Sequence, residues 1–289
     1  MATSRHNWHT LLATQNCRLE SQSMNKIVGR ALLPVESQKT GRSAHPTSER
    51  FMLTRRLEPE VMDTVEDAHD YDTMDHSTVN RVFVDDLLMF RRRTRESLDR
   101  SLTTSATEEI VVPFVNVLDV GTGTALIPIE LCRREVTCRI NAIDLAAEML
   151  KLADYNIARA DLASRIHAER IDAKHMPYGV GAFDAVISNS IVHHIPEPRA
   201  VFMEMLRVLR PSGVLFVRDL LRPKSLAEVD HLVATYAGQE NAHSQQLFRD
   251  SLHAALSLDE VRELAVACGT SASAVQQTSD RHWTLAWHA

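Results

Sequence analysis

Three acidic residues stand where apolar runs end: Asp119 in Val117-Leu118-Asp119-Val120, Asp144 closing Arg139 to Asp144, and Asp172 after Arg170-Ile171. The first is followed at once by Gly121-Thr122-Gly123-Thr124-Ala125. Glycines at a strand-to-helix turn let backbone approach a ligand closely, and the helix that follows offers free N–H groups. Asp144, about 20 residues further on, is placed to accept hydrogen bonds from ribose hydroxyls, and Asp172 from the exocyclic amine of adenine. Leu126 occupies the position of a third glycine in G-x-G-x-x-G, so the close approach that a pyrophosphate exploits is missing. A carboxylate at Asp119 would also repel phosphate, whereas it attracts a sulfonium compound carrying an ammonium group. Any one of these acids alone reads equally well as a solvated loop residue. Three in register with a glycine turn point to a nucleoside sulfonium cofactor.

The elements that must hold these residues alternate regularly. Strand FVNVLDV leads to helix ALIPIELCRR, RINAID to AAEMLKLADYNIARA, IHAER to a loop, FDAVIS to PRAVFMEMLRVL, and VLFVRD closes the run. Such β-α alternation builds a parallel sheet with helices on both faces, and ligands bind beyond the carboxyl ends of its strands. Ahead of it, Pro59 to Asp70 reads as a short helix. Ser77 reads as the cap of a second, with Val79, Val82, Phe83, Leu87 and Phe90 at helical spacing. Arg91 to Glu109 reads as an exposed connection. Behind it come a helix from about Ser225, a polar stretch, and a helix opened by Ser257 with Glu260 at capping-box spacing. AVQQTS and RHWTLAW, separated at about Asp280, then form an antiparallel hairpin at the sheet edge. Residues 1–56 are polar and mildly basic and are expected to be a disordered tail. Residues 57–289 form one domain: leading helices and connection to 109, a cofactor-binding core over 110–220, and closing helices and hairpin over 221–289.

VLDVGTGTA, INAID, RIDAKHMP, FDAVISNSIVHHI and LRVLRPSGVLFVRD, in this order and spacing, resemble the class I S-adenosylmethionine-dependent methyltransferases. The resemblance runs from about Arg55 to the end. It implies an α/β, Rossmann-like sheet of seven strands, mostly parallel with an antiparallel last strand. It also implies S-adenosylmethionine as cofactor, with contacts from Thr124, Asp144, Asp172, Ala173 and Ser188; the turn residues Asp119, Gly121, Thr122 and Gly123, with Leu145 and Asn189, complete the expected cofactor site. YDTMDHS is similar to the segment preceding the core in menaquinone- and ubiquinone-type C-methyltransferases. Ala125 replaces a glycine common in the family, and NSIVHHI replaces the Gly-Leu-Arg-Asn type of sequence usual in the quinone enzymes.

Methyl transfer from a sulfonium is an in-line displacement with an activated donor, so the protein mainly aligns the reactants and, where needed, removes a proton. His193 and His194, just beyond the fourth strand, are candidate general bases; packing beneath the cofactor or capping the turn before Pro196 is the alternative. Asp219 and Arg218, ending the fifth strand, are candidates for catalysis and substrate orientation respectively, or for an internal ion pair. Tyr71, Asp75 and His76 are candidates for a lid over the site, where Tyr71 and His76 would meet the substrate; the alternative is that Asp75 simply caps the next helix. Ser188, Asn189 and Ser190 either bind ligand or satisfy a turn. No metal is expected from the two adjacent histidines, which lack i, i+4 spacing and accompanying cysteines. Met203, Met205, Trp283 and Trp287 read as packing residues.

The net charge of -6 and pI near 6.2 supply no overall basic field, so nucleic acid is not an expected partner. The four cysteines, Cys17, Cys132, Cys138 and Cys268, form no paired motif. Reduced thiols in the cytoplasm are therefore expected. No apolar run is long enough to span a bilayer, and no secretory signal opens the sequence. A small-molecule methyl acceptor is the leading expectation. An RNA or protein methyltransferase rests only on the basic tail, and a non-catalytic S-adenosylmethionine-binding protein would need a blocked substrate mouth.

Overall fold

The computed structural model describes residues 53–61, 63–73, 76–101 and 114–289, with the backbone alone for 94–101. Residues 1–52, Asp75 and the last part of the expected connection, from residue 102 on, lie outside the described residues.

The apolar runs pair into one sheet: β1 (Asn116–Val120), β2 (Arg139–Asp144), β3 (Ile166–Arg170), β4 (Phe183–Asn189), β5 (Leu209–Leu220), β6 (Val275–Gln277) and β7 (His282–His288). Their order is β3-β2-β1-β4-β5-β7-β6. β1 to β5 run parallel, and β7 runs antiparallel to both neighbours, β5 and β6. The last strand in sequence therefore lies inside the sheet, with β6 at the edge. Between β1 and β4 the direction of winding reverses, so a crevice opens beyond their carboxyl ends.

Eight α-helices accompany the sheet among the described residues: α1 (Val65–Thr73), α2 (Ser77–Ser101), α3 (Leu126–Arg134), α4 (Ala147–Arg159), α5 (Arg199–Val208), α6 (Leu226–Tyr236), α7 (Ala242–Ala254) and α8 (Leu258–Ala267). Alternation along the strands divides the core into two layers. Val117, Ile140, Ile187 and Phe216 pack with Phe83 and Leu87 of α2, Ile129 and Leu131 of α3, and Ile157 of α4. Leu118, Ile143, Val186 and Val217 pack with Phe202 and Met205 of α5, Val261 of α8, and Trp283 of β7. Met205 and Trp283 are thus core residues, while Met203 turns to solvent.

Several boundaries differ from the sequence reading, each for a local reason. Residues 53–61 and Asp63 carry no helix. α1 begins at Val65, where Thr64 Oγ1 accepts from Asp67 N (3.0 Å) and Glu66 and Asp67 occupy the first turn. α2 runs on through the charged run to Ser101, with no glycine or proline to stop it. Arg91 is held there by Glu135 (3.1 Å) and lies over the Phe114 ring (4.3 Å). The polar stretch contains α7, capped by Asn241 and buried chiefly at its last turn, so it shows little periodicity. The capping box of Ser257 and Glu260 on α8 forms as expected. Residues 53–56, placed in the tail by composition, are anchored: Arg56 N donates to His253 O (3.0 Å), and Leu53 packs against the small cluster of α6 and α7.

Candidate active site

At the switch point, Gly121 has φ +74° and Gly123 φ +55°, conformations that side chains disfavour. A Cβ on Gly121 would stand 2.0 Å from Ile191 Cγ2, so here only hydrogen fits between the end of β1 and the end of β4. Gly121 N and Thr122 N both donate to Ile143 O (2.8 and 3.0 Å), tying the turn to β2. Asp144 completes it: one carboxylate oxygen accepts from Gly123 N (2.8 Å) and the other from Ala146 N (2.9 Å). Its first structural task is therefore to shape the glycine turn.

A cavity lies over these strand ends, open to solvent at its mouth. Gly121, Gly123, Asp144, Leu145, Asp172, Ala173, Asn189 and Tyr71, all named from the sequence, line it. Asn189 Oδ1 is buried without a hydrogen-bond partner, an acceptor open to a ligand. Tyr71 stacks on His76 (centroids 4.4 Å apart), and burial, with the Asp144 and Asp119 charges adding, pushes its hydroxyl up to about 12.

Other expected ligands sit behind this wall. Asp119 is 2% exposed, and burial lifts its carboxyl to about 7, opposed by the Thr122 hydrogen bond and assisted by the Asp144 charge. Thr122 and Thr124 are buried, with Thr124 O accepting from Asn156 Nδ2 (3.2 Å). Ser188 is fully buried and donates to Val120 O (2.8 Å), joining β4 to β1 beneath the cavity. His76 lies on the far side of Tyr71, facing a separate surface groove.

Residues 53–61 form a strap across the strand ends, which the sequence reading assigned to tail and helix. Its Glu60 and Val61 line the cavity, and Glu60 pairs with Lys174, whose Nζ also lies 3.3 Å from Asp172. Burial would raise the Asp172 carboxyl, but the backbone and side-chain hydrogen bonds from Lys174 and its charge hold it below the usual range. Arg55 anchors the strap by donating to Ala254 O (2.7 Å), Ile195 O (3.0 Å), His193 O (3.2 Å) and Pro196 O (3.2 Å).

The strap also carries Glu58 to the two histidines, a meeting that 135 residues of separation hid. Glu58 Oε1 lies 3.2 Å from His194 Nδ1 and 3.5 Å from His193 Nε2. His193 Nδ1 lies 2.5 Å from Asp219 Oδ1, while Asp219 Oδ2 accepts from Val192 N (2.5 Å). Burial opposes charge on both, and their mutual attraction overcomes it: His193 is held above its ordinary value and Asp219 below. Burial and the neighbouring His193 push His194 down to about 3. Of the three candidates for catalysis only His194 lines the cavity; His193 and Asp219, 4% and 1% exposed, brace the turn behind it.

Arg218 departs from the expected substrate-facing role. Strand alternation turns it to the α2 side of the sheet, where the buried guanidinium pairs with the partly exposed Asp86 (Oδ2, 2.6 Å) and donates to Thr284 Oγ1 (2.9 Å).

Residues 118–217 match the family model of the methyltransferase domain. Over 115 residues the chain is 30% identical to a ubiquinone biosynthesis O-methyltransferase of Xanthomonas campestris, covering 39% of this chain and 46% of that protein. Over 154 residues it is 31% identical to a malonyl-acyl-carrier-protein O-methyltransferase of Hahella chejuensis, covering 53% and 50%. The chain spans about half the length of the curated relatives it matches. A solved Nostoc punctiforme protein provisionally assigned as an O-methyltransferase has a similar fold, with TM-score 0.54 and 15% identity over 77% of this chain and 59% of that one. Sheet order, glycine turn and family match together define a Rossmann-like methyltransferase domain of class I, the class whose methyl donor is S-adenosylmethionine.

Proposed function

We propose that the chain transfers the methyl group of S-adenosylmethionine to an O, N or C nucleophile of a small-molecule acceptor. The observation that carries this reading is the cavity at the β1/β4 switch point, lined together by the glycine turn, Asp144, Asp172 and Asn189. In this reading Asp144 receives the ribose hydroxyls and Asp172 the adenine amine. The negative field of Asp119 favours the ammonium group. The strap of residues 53–61 supports a small acceptor over a polymer, because Glu60 and Val61 bound the cavity where a long chain would have to lie. His194, neutral at physiological pH, is suited to hydrogen-bond or ligate rather than to hold an abstracted proton.

The described cysteines Cys132, Cys138 and Cys268 are free and buried, which supports a reducing compartment such as the cytoplasm. Among the described residues no helix is long and apolar enough to cross a membrane. Incubation of the protein with isotopically labelled S-adenosylmethionine and a metabolite extract should move label into a low-molecular-weight product. Cofactor binding by calorimetry without any labelled product would favour a non-catalytic binding protein, and label in RNA or protein fractions would redirect the acceptor class.

A further inference from the structure

We propose that Glu58, His193 and His194 form a binding site for one divalent cation of the zinc type, with Asp219 orienting His193. Two imidazole nitrogens and one carboxylate oxygen lie within 4.8 Å of one another at the carboxyl end of β4. Ligand atoms around a tetrahedral ion with bonds of about 2.0–2.1 Å stand about 3.3 Å apart. The two distances from Glu58 Oε1, 3.2 and 3.5 Å, bracket that spacing. Glu58 Oε1 and His194 Nδ1 are buried and, although close, neither makes a hydrogen bond. A buried carboxylate oxygen without a donor is costly, and a cation placed between the two groups would satisfy both.

The surroundings match what a bound cation requires. His193 has Nδ1 against Asp219 Oδ1 (2.5 Å), which fixes the ring and leaves Nε2 on the Glu58 side, the carboxylate–histidine arrangement that supports metal ligands. Asp219 is in turn held by the backbone N–H groups of Val192, His193 and Leu220. The nearby guanidinium of Arg55 is engaged by four carbonyl oxygens, and Glu58 Oε2 is 3.2 Å from the Ser251 hydroxyl. Two imidazoles and one carboxylate suit zinc or ferrous iron better than magnesium or calcium, which favour all-oxygen sites. Three protein ligands leave a fourth tetrahedral position for water or a substrate atom, and His194 places the centre against the cavity wall.

The test uses the full chain, stripped by a chelator and titrated with Co2+, whose visible absorption reports coordination. One equivalent should bind, develop absorption bands, raise the melting temperature, and be displaced by Zn2+. Glu58→Gln and, independently, Asp219→Asn should each weaken Co2+ binding by about 10- to 100-fold, with melting curves confirming that each variant folds. Absence of stoichiometric uptake by the unmodified chain would overturn the site, as would uptake unaltered by both substitutions. Calorimetry with S-adenosylmethionine on the same samples separates the two readings. Intact cofactor binding without Co2+ uptake removes the cation site alone.

Discussion

Asp119 and Asp144 carry like charge at the same turn, yet their surroundings give them different work. Both oxygens of Asp144 accept backbone N–H groups. Asp144→Asn replaces one acceptor by a donor and weakens a charge-assisted contact worth about 1.5–3 kcal/mol. Cofactor affinity measured by calorimetry should fall by at least tenfold. Asp119 titrates instead. With its folded pKa at about 7, above the ordinary value of about 3.9, the stability gained from its protonated form is complete below about pH 4 and lost as pH rises through 7. Melting temperature of the unliganded protein should therefore decline across that window, and Asp119→Asn should flatten the decline. Cationic cofactor favours the carboxylate, so affinity should run the other way, about tenfold weaker at pH 6 than at pH 8. Gly121→Ala drives a methyl group into Ile191 at a positive φ and should cost about 1–3 kcal/mol of stability together with most cofactor binding, read by denaturation and calorimetry.

Elements were legible in proportion to how regularly they bury one face. β2 and β3 coincide with RINAID and IHAER because each is bounded by turns and pairs along its whole length. α7 was not legible, since its buried residues crowd into one end. The strap was missed for a different reason: residues 53–61 have no period at all, and their order comes from distant carbonyls and from His193 and His194. Glu58 could have been suspected only by asking which acid would face the two adjacent histidines. Arg218 was misplaced because the end of a strand is easily located in sequence, whereas the face its last residues present depends on register. At this scale, Arg55→Ala should release the strap, seen as faster amide exchange over 53–61 with little change in overall melting temperature. Ser257→Ala should cost about 1 kcal/mol in chemical denaturation, through loss of the capping box of α8.

For the whole molecule, the two core layers are unequal partners of the site. α5 and α8 pack on the side that carries Val120 and Ile143, immediately beneath the cavity, whereas α2 clamps the opposite face through Phe83, edge-on to Phe216 at 5.2 Å. Phe83→Ala should cost about 3–5 kcal/mol of global stability. Cofactor affinity of the remaining folded fraction, measured at low temperature, should stay close to that of the parent chain.

The seating of β7 between β5 and β6 also has a consequence for how the molecule is made. β5 ends at Leu220, but the strand that covers its outer edge begins only at His282. During synthesis at about 5–20 residues per second, that edge waits roughly 3–12 s for its neighbour. All the cavity-lining groups have been translated by Val201, well before the sheet that supports them can close. The nascent chain thus holds a nearly complete cofactor pocket beside an unpaired β edge, and early capture of the cofactor would act as its own folding aid.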